Sequence, residues 1–320
     1  MTDSAKNSYW QQQIAGIFWA AVSVFCWGTL FPAVTMLNHR GNIDSFSMAQ
    51  CRFLWAGLLM LAFLFLRRKT LPQNRMSGKD WLNIIFNSIF AGAMSVALFY
   101  GQSLGIPTVN ASMLEAEAPL LIFLGGIIIL KNGCSWLQTI GILLGFAGSI
   151  LVLKVVSNSG VMINSLERGD LMVLAGAIFW AIYTIAANGT IKRIGGLRYT
   201  AWSMFFAGLW ILIFQLAMQM PCCYPQNGPD FWNVLYLSVI PTALAFFSWN
   251  NAQRYISTGL LAISGYFTPI LTALLSWFMF RENITWMQIL GMILVLGSSL
   301  IEPEIAGLCR FKKINSSAKI

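Results

Sequence analysis

Charge is the scarcest property of this sequence. Of its 320 residues only 10% are Asp, Glu, Lys or Arg, against roughly 25% in a soluble globular domain. That excludes a chain kept in water by its own surface, and it excludes the charge-rich disordered class as well. Histidine occurs once, at His39 in a short connector, so no Ser/His/Asp or Cys/His arrangement can be built within the apolar segments. The six cysteines, Cys26, Cys51, Cys134, Cys222, Cys223 and Cys309, contain no C-x-x-C pair, which argues against a zinc or redox centre. Cys222 and Cys223 are adjacent in an expected outer loop, and all six are read as free thiols. There is no Gly-rich phosphate loop ending in Lys-Ser/Thr and no H-E-x-x-H, so neither ATP drive within this chain nor a zinc protease is expected. No cofactor and no metal is expected. Four glycosylation-like triplets, at Asn110, Asn188, Asn283 and Asn315, fall in or beside apolar runs or on the inner side and are read as incidental.

What is present is apolar surface. Hydrophobic residues make up 57%, aromatics 14%, and the mean hydropathy is +0.68. A bilayer span needs about 20 largely apolar residues. Ten such runs can be read, at 14–37, 46–66, 82–104, 109–130, 135–154, 170–190, 198–218, 231–253, 259–280 and 286–303. The first is too long for a signal-peptide core and has no small-residue cleavage site behind it, so it is expected to remain as a span. With the N-terminus in the cytoplasm, fifteen of the twenty Lys and Arg fall on the inner side, four on the outer side, and Arg52 within a span. This bias places both termini inside. The net charge of +9 is therefore topogenic and lipid-directed rather than a nucleic-acid surface.

The two halves of the chain repeat each other at an offset of 150 to 153 residues. Ala20–Trp27 matches Val173–Trp180, Ala56-Gly57-Leu58 matches Ala207-Gly208-Leu209, and Trp81-Leu82-Asn83-Ile84 matches Phe231-Trp232-Asn233-Val234. Pro119-Leu120 matches Pro269-Ile270, and Gly141 matches Gly291. Five spans per copy make the second copy enter the membrane from the opposite side, the design of alternating-access transporters. The expected fold is an all-α membrane protein of ten transmembrane helices in two inverted five-helix repeats. Its parts are a cytoplasmic tail (1–13), a first repeat (14–154), an external linker (155–169), a second repeat (170–303) and a basic cytoplasmic tail (304–320).

Trp27-Gly28 and Trp180-Ala181, Arg52-Phe53 early in the second span, Pro119 and Pro269, and Gln138 and Gln288 with their spaced glycines together resemble the drug/metabolite transporter superfamily. The likeness is to its EamA-type ten-helix members and covers roughly 14–303. Two departures stand out: Leu130-Lys131-Asn132 and Phe280-Arg281-Glu282 replace a common Leu-Gly-Glu ending, and Glu115 and Glu117 precede Pro119 where small or apolar residues are usual. The resemblance implies a cavity lined by the first, third, fourth, sixth, eighth and ninth spans, with the fifth and tenth peripheral. It also implies secondary transport across a bacterial inner membrane, commonly export of amino acids, related metabolites or drugs.

Charges within the bilayer usually face a cavity or a partner, and Arg52, Glu115 and Glu117 are the three cases. At 1.5 Å per residue all three lie roughly 9–12 Å into their spans, which allows an ion pair. Glu115 and Glu117 point to nearly opposite sides of a regular helix, so one of them is expected at the cavity. Glu117 is the first candidate and Glu115 the second, for cargo contact or for taking up and releasing a proton. Arg52 is read as structural, and Pro119 and Pro269 as kinks, since proline frees the carbonyl four residues earlier. Pro32 and Pro241 free those of Gly28 and Leu237 in the same way. Trp27, Trp180, Tyr100 and Tyr266 are candidate ring contacts, and Asn250 a candidate polar contact; Trp249 belongs to the wider set of central rings.

These readings converge on a secondary transporter of a small metabolite, an amino acid or related compound with export the leading direction. Within the class, the alternative is uptake or exchange of a nucleoside-like metabolite such as S-adenosylmethionine. A membrane-embedded enzyme acting on lipid is the rival from another class, and a scaffold or sensor a third; an enzyme is not expected. The expected partners are a small-molecule cargo, membrane lipid and a coupling proton, with no nucleic acid, and the chain is expected as a monomer or homodimer.

Overall fold

The computed structural model describes residues 3–68, 75–106, 108–131, 135–155, 168–281 and 286–300. Most of the expected linker and all of the expected C-tail, together with Cys134, Asn132, Glu282 and Asn283, lie outside the described residues. Among the described residues all regular structure is helical. The first span is α1 (Asp3–Gly28) and α2 (Leu30–Arg40); α3 (Ser45–Leu66) and α4 (Gly78–Ser103) are the second and third. The fourth is α5 (Thr108–Glu115) with α6 (Ala118–Ile128), and the fifth is α7 (Trp136–Val155). The second repeat begins with α8 (Arg168–Ile194) and α9 (Gly196–Ala217). Its third member is α10 (Gly228–Ser238), a π turn (Val239–Leu244) and α11 (Ala245–Ala252). Then come α12 (Thr258–Gly265) with α13 (Phe267–Phe280), and α14 (Trp286–Leu300). Seven of these stretches are long and apolar enough to cross a membrane, and Ala118–Ile128 and Trp136–Gly148 are shorter apolar helices.

Helix starts follow from local chemistry. Asp44 caps α3 through the N–H groups of Phe46 and Ser47, and Ser257 caps α12. Ser77 and Asp80 form a reciprocal capping box at α4, the arrangement that satisfies two orphan N–H groups at once. Asn227 caps α10 at the equivalent place, with proline in its first turn.

The packing obeys a pseudo-two-fold rule. The third span packs on the sixth (α4 on α8), and its image under repeat exchange, the eighth on the first (α11 on α1), is also present. The second packs on the seventh (α3 on α9), the fourth on the ninth (α6 on α12) and the fifth on the tenth (α7 on α14), each pair mapping onto itself. The residue detail follows suit. A methyl group at Gly57 would fall 2.4 Å from the Phe205 nitrogen, and one at Gly208 2.6 Å from the Leu54 nitrogen. Leu54 and Phe205 are repeat equivalents, so the α3/α9 crossing lies on the pseudo-axis. Asn83 donates to the carbonyl of Ala186 at 3.1 Å, and Asn233 to that of Ala33 at 3.3 Å. The fold is thus ten helices in two inverted five-helix repeats.

The helix breaks follow the symmetry at one pair of spans and depart from it at another. The fourth span stops at Glu115 and restarts at Ala118, and the ninth stops at Gly265 and restarts at Phe267, an equivalent break before Pro119 and Pro269. The first span breaks at Thr29 and the eighth winds into a π turn around Pro241, while their equivalents α8 and α4 run unbroken. The carbonyls freed by Pro32 and Pro241 do not stay bare. Thr272 Oγ1 donates to Gly28 O at 3.2 Å, and Thr242 Oγ1 to Leu237 O at 2.6 Å. Trp27 Nε1 adds a bond to Pro241 O at 3.1 Å. Irregular backbone at membrane depth is stable when its polar groups are supplied in this way.

Candidate functional site

The first, third, fourth, sixth, eighth and ninth spans converge on one cavity, and the second adds Arg52. Its walls include Trp27, Trp180, Trp249, Arg52, Glu115 and Pro119. The side chains leave a narrow space of about 30 Å³, room for about two waters, so an amino-acid-sized molecule requires the walls to part. Among the described residues, none of α7 or α14 lines it.

The three indoles form a cage. Ring centroids are 5.1 Å apart for Trp27 and Trp180, 5.1 Å for Trp27 and Trp249, and 5.5 Å for Trp180 and Trp249. Phe246 closes it from behind at 5.7 Å from Trp27 and 5.3 Å from Trp180. Tilted and edge-on pairs at these separations are the favoured aromatic geometry. Trp27 Nε1 is engaged with Pro241 O, whereas the buried Nε1 of Trp249 has no hydrogen-bond partner among the described residues.

Arg52 is fully buried, and none of its three nitrogens has a hydrogen-bond partner among the described residues. Its guanidinium lies 4.9 Å from the Phe53 ring centroid and 5.0 Å from that of Phe99, contacts that attract a cation but supply no acceptor. Glu115 lines the same cavity, yet among the described residues no ion pair within 4 Å joins them; those present are Arg40–Asp230 and Arg193–Asp80. Arg52 therefore stands at the cavity wall rather than in a closed structural pair.

Glu117, the residue placed first from sequence, is not in the cavity wall; both its carboxylate oxygens are buried without a hydrogen-bond partner among the described residues. Tyr100 is 43% exposed and lines an apolar groove between α4, α8 and α9 instead. Tyr266 is buried and donates to Ile142 O of α7 at 3.5 Å, which places it at the contact between the ninth and fifth spans. Asn250 is buried in a polar network, donating to Tyr183 Oη at 3.0 Å and Thr200 Oγ1 at 2.9 Å. Tyr183 in turn stacks on Trp180, with centroids 5.4 Å apart. Asn250 thus reaches the cage through one intermediary.

Two ion pairs escaped the sequence reading. Asp230, at the start of α10, accepts from Arg40 Nη1 at 2.8 Å, from Asn42 at 2.8 Å and from Asn227 at 2.7 Å. Asp80, at the start of α4, accepts from Arg193, from Ser77 N at 2.7 Å and from Ser77 Oγ at 2.7 Å. Both aspartates are fully buried. Each pair joins one repeat to the other, and the alternation of spans sets the two at opposite ends of the bundle. Asp80/Asp230 and Arg40/Arg193 obey the same 150 to 153 offset as the other matches, which was the signal available. Cys26, Cys51, Cys222 and Cys223 are free.

A ten-span inverted repeat around a small, ring-lined central cavity defines a multi-pass membrane transporter. The EamA-like transporter family model matches twice, at residues 14–154 and 167–301, and the chain belongs to that family. An uncharacterized transporter of Archaeoglobus fulgidus is 24% identical over 282 residues, 83% of this chain and 94% of that protein. The uncharacterized transporter YyaM of Bacillus subtilis is 24% identical over 281 residues, covering 86% and 89%. The uncharacterized inner membrane transporter YedA of Escherichia coli K12 is 26% identical over 273 residues, covering 82% and 83%. A solved crystal structure superposes with a TM-score of 0.73 at 20% identity, over 90% of this chain and 97% of that one, a likeness of fold.

Proposed function

We propose that the protein is a secondary transporter that moves a small metabolite, an amino acid or a related compound, across the inner membrane by alternating access, with export as its direction. The observation that carries this reading is the narrow cavity at the meeting of the two repeats, walled by Trp27, Trp180, Trp249, Arg52 and Glu115. In this conformation an inter-repeat ion pair clasps each end of the bundle. Opening the cavity to one side means releasing the clasp on that side while the other holds. With both termini in the cytoplasm, as the Lys/Arg distribution favours, Arg40–Asp230 is the outer clasp and Arg193–Asp80 the inner one.

Once the walls part, the faces of the three indoles would suit a purine and Glu115 a sulfonium, so exchange of a nucleoside-like metabolite such as S-adenosylmethionine is the second reading. Proteoliposomes separate the two. Vesicles preloaded with pooled unlabelled amino acids, or with S-adenosylmethionine, are assayed for counterflow of the matching labelled compound. Accumulation with the amino-acid pool alone supports the first reading, and with S-adenosylmethionine alone the second. No accumulation with either would sink both.

A further inference from the structure

We propose that Arg52 is a cargo-binding residue: it receives the carboxylate of a dipolar cargo whose cationic group is turned toward Glu115. The inference rests on the transporter reading above and names the chemistry its cavity recognises. A guanidinium carries five N–H donors in a planar fork and stays charged. Buried without an acceptor, it is strongly disfavoured unless something else supplies one. Arg52 is fully buried, its three nitrogens have no partner among the described residues, and it borders the cavity. The rings of Phe53 and Phe99 hold it from the sides without using its donors. A carboxylate entering the cavity meets that fork with bidentate geometry. The buried, unpaired Nε1 of Trp249 on the same wall is a further donor for an oxygen.

The repeat offers an independent argument. Where the two halves serve the scaffold they match: Gly57 with Gly208, Asn83 with Asn233, Asp80 with Asp230, Arg40 with Arg193. At the cavity the charges do not match. The equivalent of Arg52 is Ser203, and that of Glu115 is Gly265. A charge needed to hold the duplicated frame would recur in both copies. These two occur once each, in the first repeat, and both at the cavity wall. A basic and an acidic side chain on one wall, with no ion pair within 4 Å between them, in a ring-lined space, are complementary to a molecule that carries both an acidic and a basic group.

The test uses the full-length protein in proteoliposomes and in detergent. Each of the twenty proteinogenic L-amino acids is tried as a counterflow substrate, and every one that moves is compared with its carboxamide as a competitor. In wild type the free acid is expected to compete at least tenfold better than the amide. In Arg52→Met that preference is expected to vanish, and in Arg52→Lys to be weakened. Thermal melting of the ligand-free protein gives a second readout: Arg52→Met should melt no lower than wild type, because methionine keeps contact with the Phe53 and Phe99 rings while a buried guanidinium without a hydrogen-bond acceptor is removed. Three results would overturn the proposal while leaving the transporter reading intact: an amide that competes as well as its acid in wild type, a preference that survives Arg52→Met, or an Arg52→Met protein that melts several degrees lower, as loss of a structural ion pair would dictate. No counterflow of any amino acid, with S-adenosylmethionine and aromatic amines equally inert, would remove the transporter reading and this inference together.

Discussion

Replacing Gly57 with alanine sets two opposing effects against each other, and the distances decide between them. The added methyl would lie 2.4 Å from the nitrogen and 2.5 Å from the Cα of Phe205, where ordinary contact begins at 3.4 Å. These obstacles are backbone atoms and cannot rotate aside, so α3 and α9 must separate by about 1 Å, the shortfall between contact and clash. Overpacking of a tight core costs about 1–3 kcal/mol. The upper end applies here, since the crossing also carries the buried Phe53, Ala56, Met204 and Ala207. Alanine returns up to ~1 kcal/mol in helix propensity. The net expectation is a loss of about 2 kcal/mol. Gly208→Ala, at 2.6 Å from Leu54 N, should behave alike. A single separation relieves both clashes, so the double variant should lose clearly less than the sum of the two. Reversible unfolding in mixed micelles, followed by tryptophan fluorescence, measures all three. Gly189 is the control, because a methyl group added there would meet nothing within 4 Å; Gly189→Ala should be neutral or stabilising. If Gly57→Ala is as stable as Gly189→Ala, or if the two losses simply add, the close crossing on the pseudo-axis is not how these repeats meet.

Other expectations follow from single bonds. Thr272→Val leaves the Gly28 carbonyl without its hydroxyl donor and should cost about 1–3 kcal/mol; in a Pro32→Ala background, where a backbone N–H is restored to that carbonyl, the cost should shrink. Trp27→Phe removes the bond to Pro241 O and should lower the melting temperature, whereas Trp249→Phe removes an N–H that has no partner among the described residues and should lower it less. Equal losses in the two would refute the difference between these indoles. Asp230→Asn and Asp80→Asn should each lower the melting temperature by similar amounts, because each aspartate accepts bonds from an arginine and from cap residues at matching positions; a large effect at one end only would break the symmetry argument.

Much of the fold could be read from the chain because lipid enforces a simple rule, a long apolar run for each crossing. The breaks at Pro119 and Pro269 were visible because proline acts locally, through one missing N–H. The threonines that cover the carbonyls freed by Pro32 and Pro241 were not all visible: Thr242 is next to its proline, but Thr272 comes from another span, 244 positions from Gly28. The charges at the cavity were legible as residues but not as partners. Spacing along a helix says that Glu115 and Glu117 face different ways, and only the packing of α5 and α6 against their neighbours says which of them meets the cavity wall. Arg52 reads as structural from the sequence because the family resemblance places it at a packing position; its unsatisfied nitrogens show only in three dimensions. The ion pairs at Asp80 and Asp230 lay at helix starts, outside the apolar runs on which a search for membrane charges concentrates.

The two interfaces that exchange places under the pseudo-two-fold are built of different material. On one side α4 and α8 are unbroken rods. On the other, the first and eighth spans are each interrupted at mid-depth, and a side-chain hydroxyl occupies the gap in each. A hydroxyl can swing about its Cα–Cβ bond and follow a carbonyl through a change of bend, which a fixed backbone N–H cannot do. Under the alternating-access proposal, the jointed pair would flex with its freed carbonyls still covered, and the unbroken pair would serve as the strut. These two threonines then bear on how readily the spans would bend as well as on how stable they are.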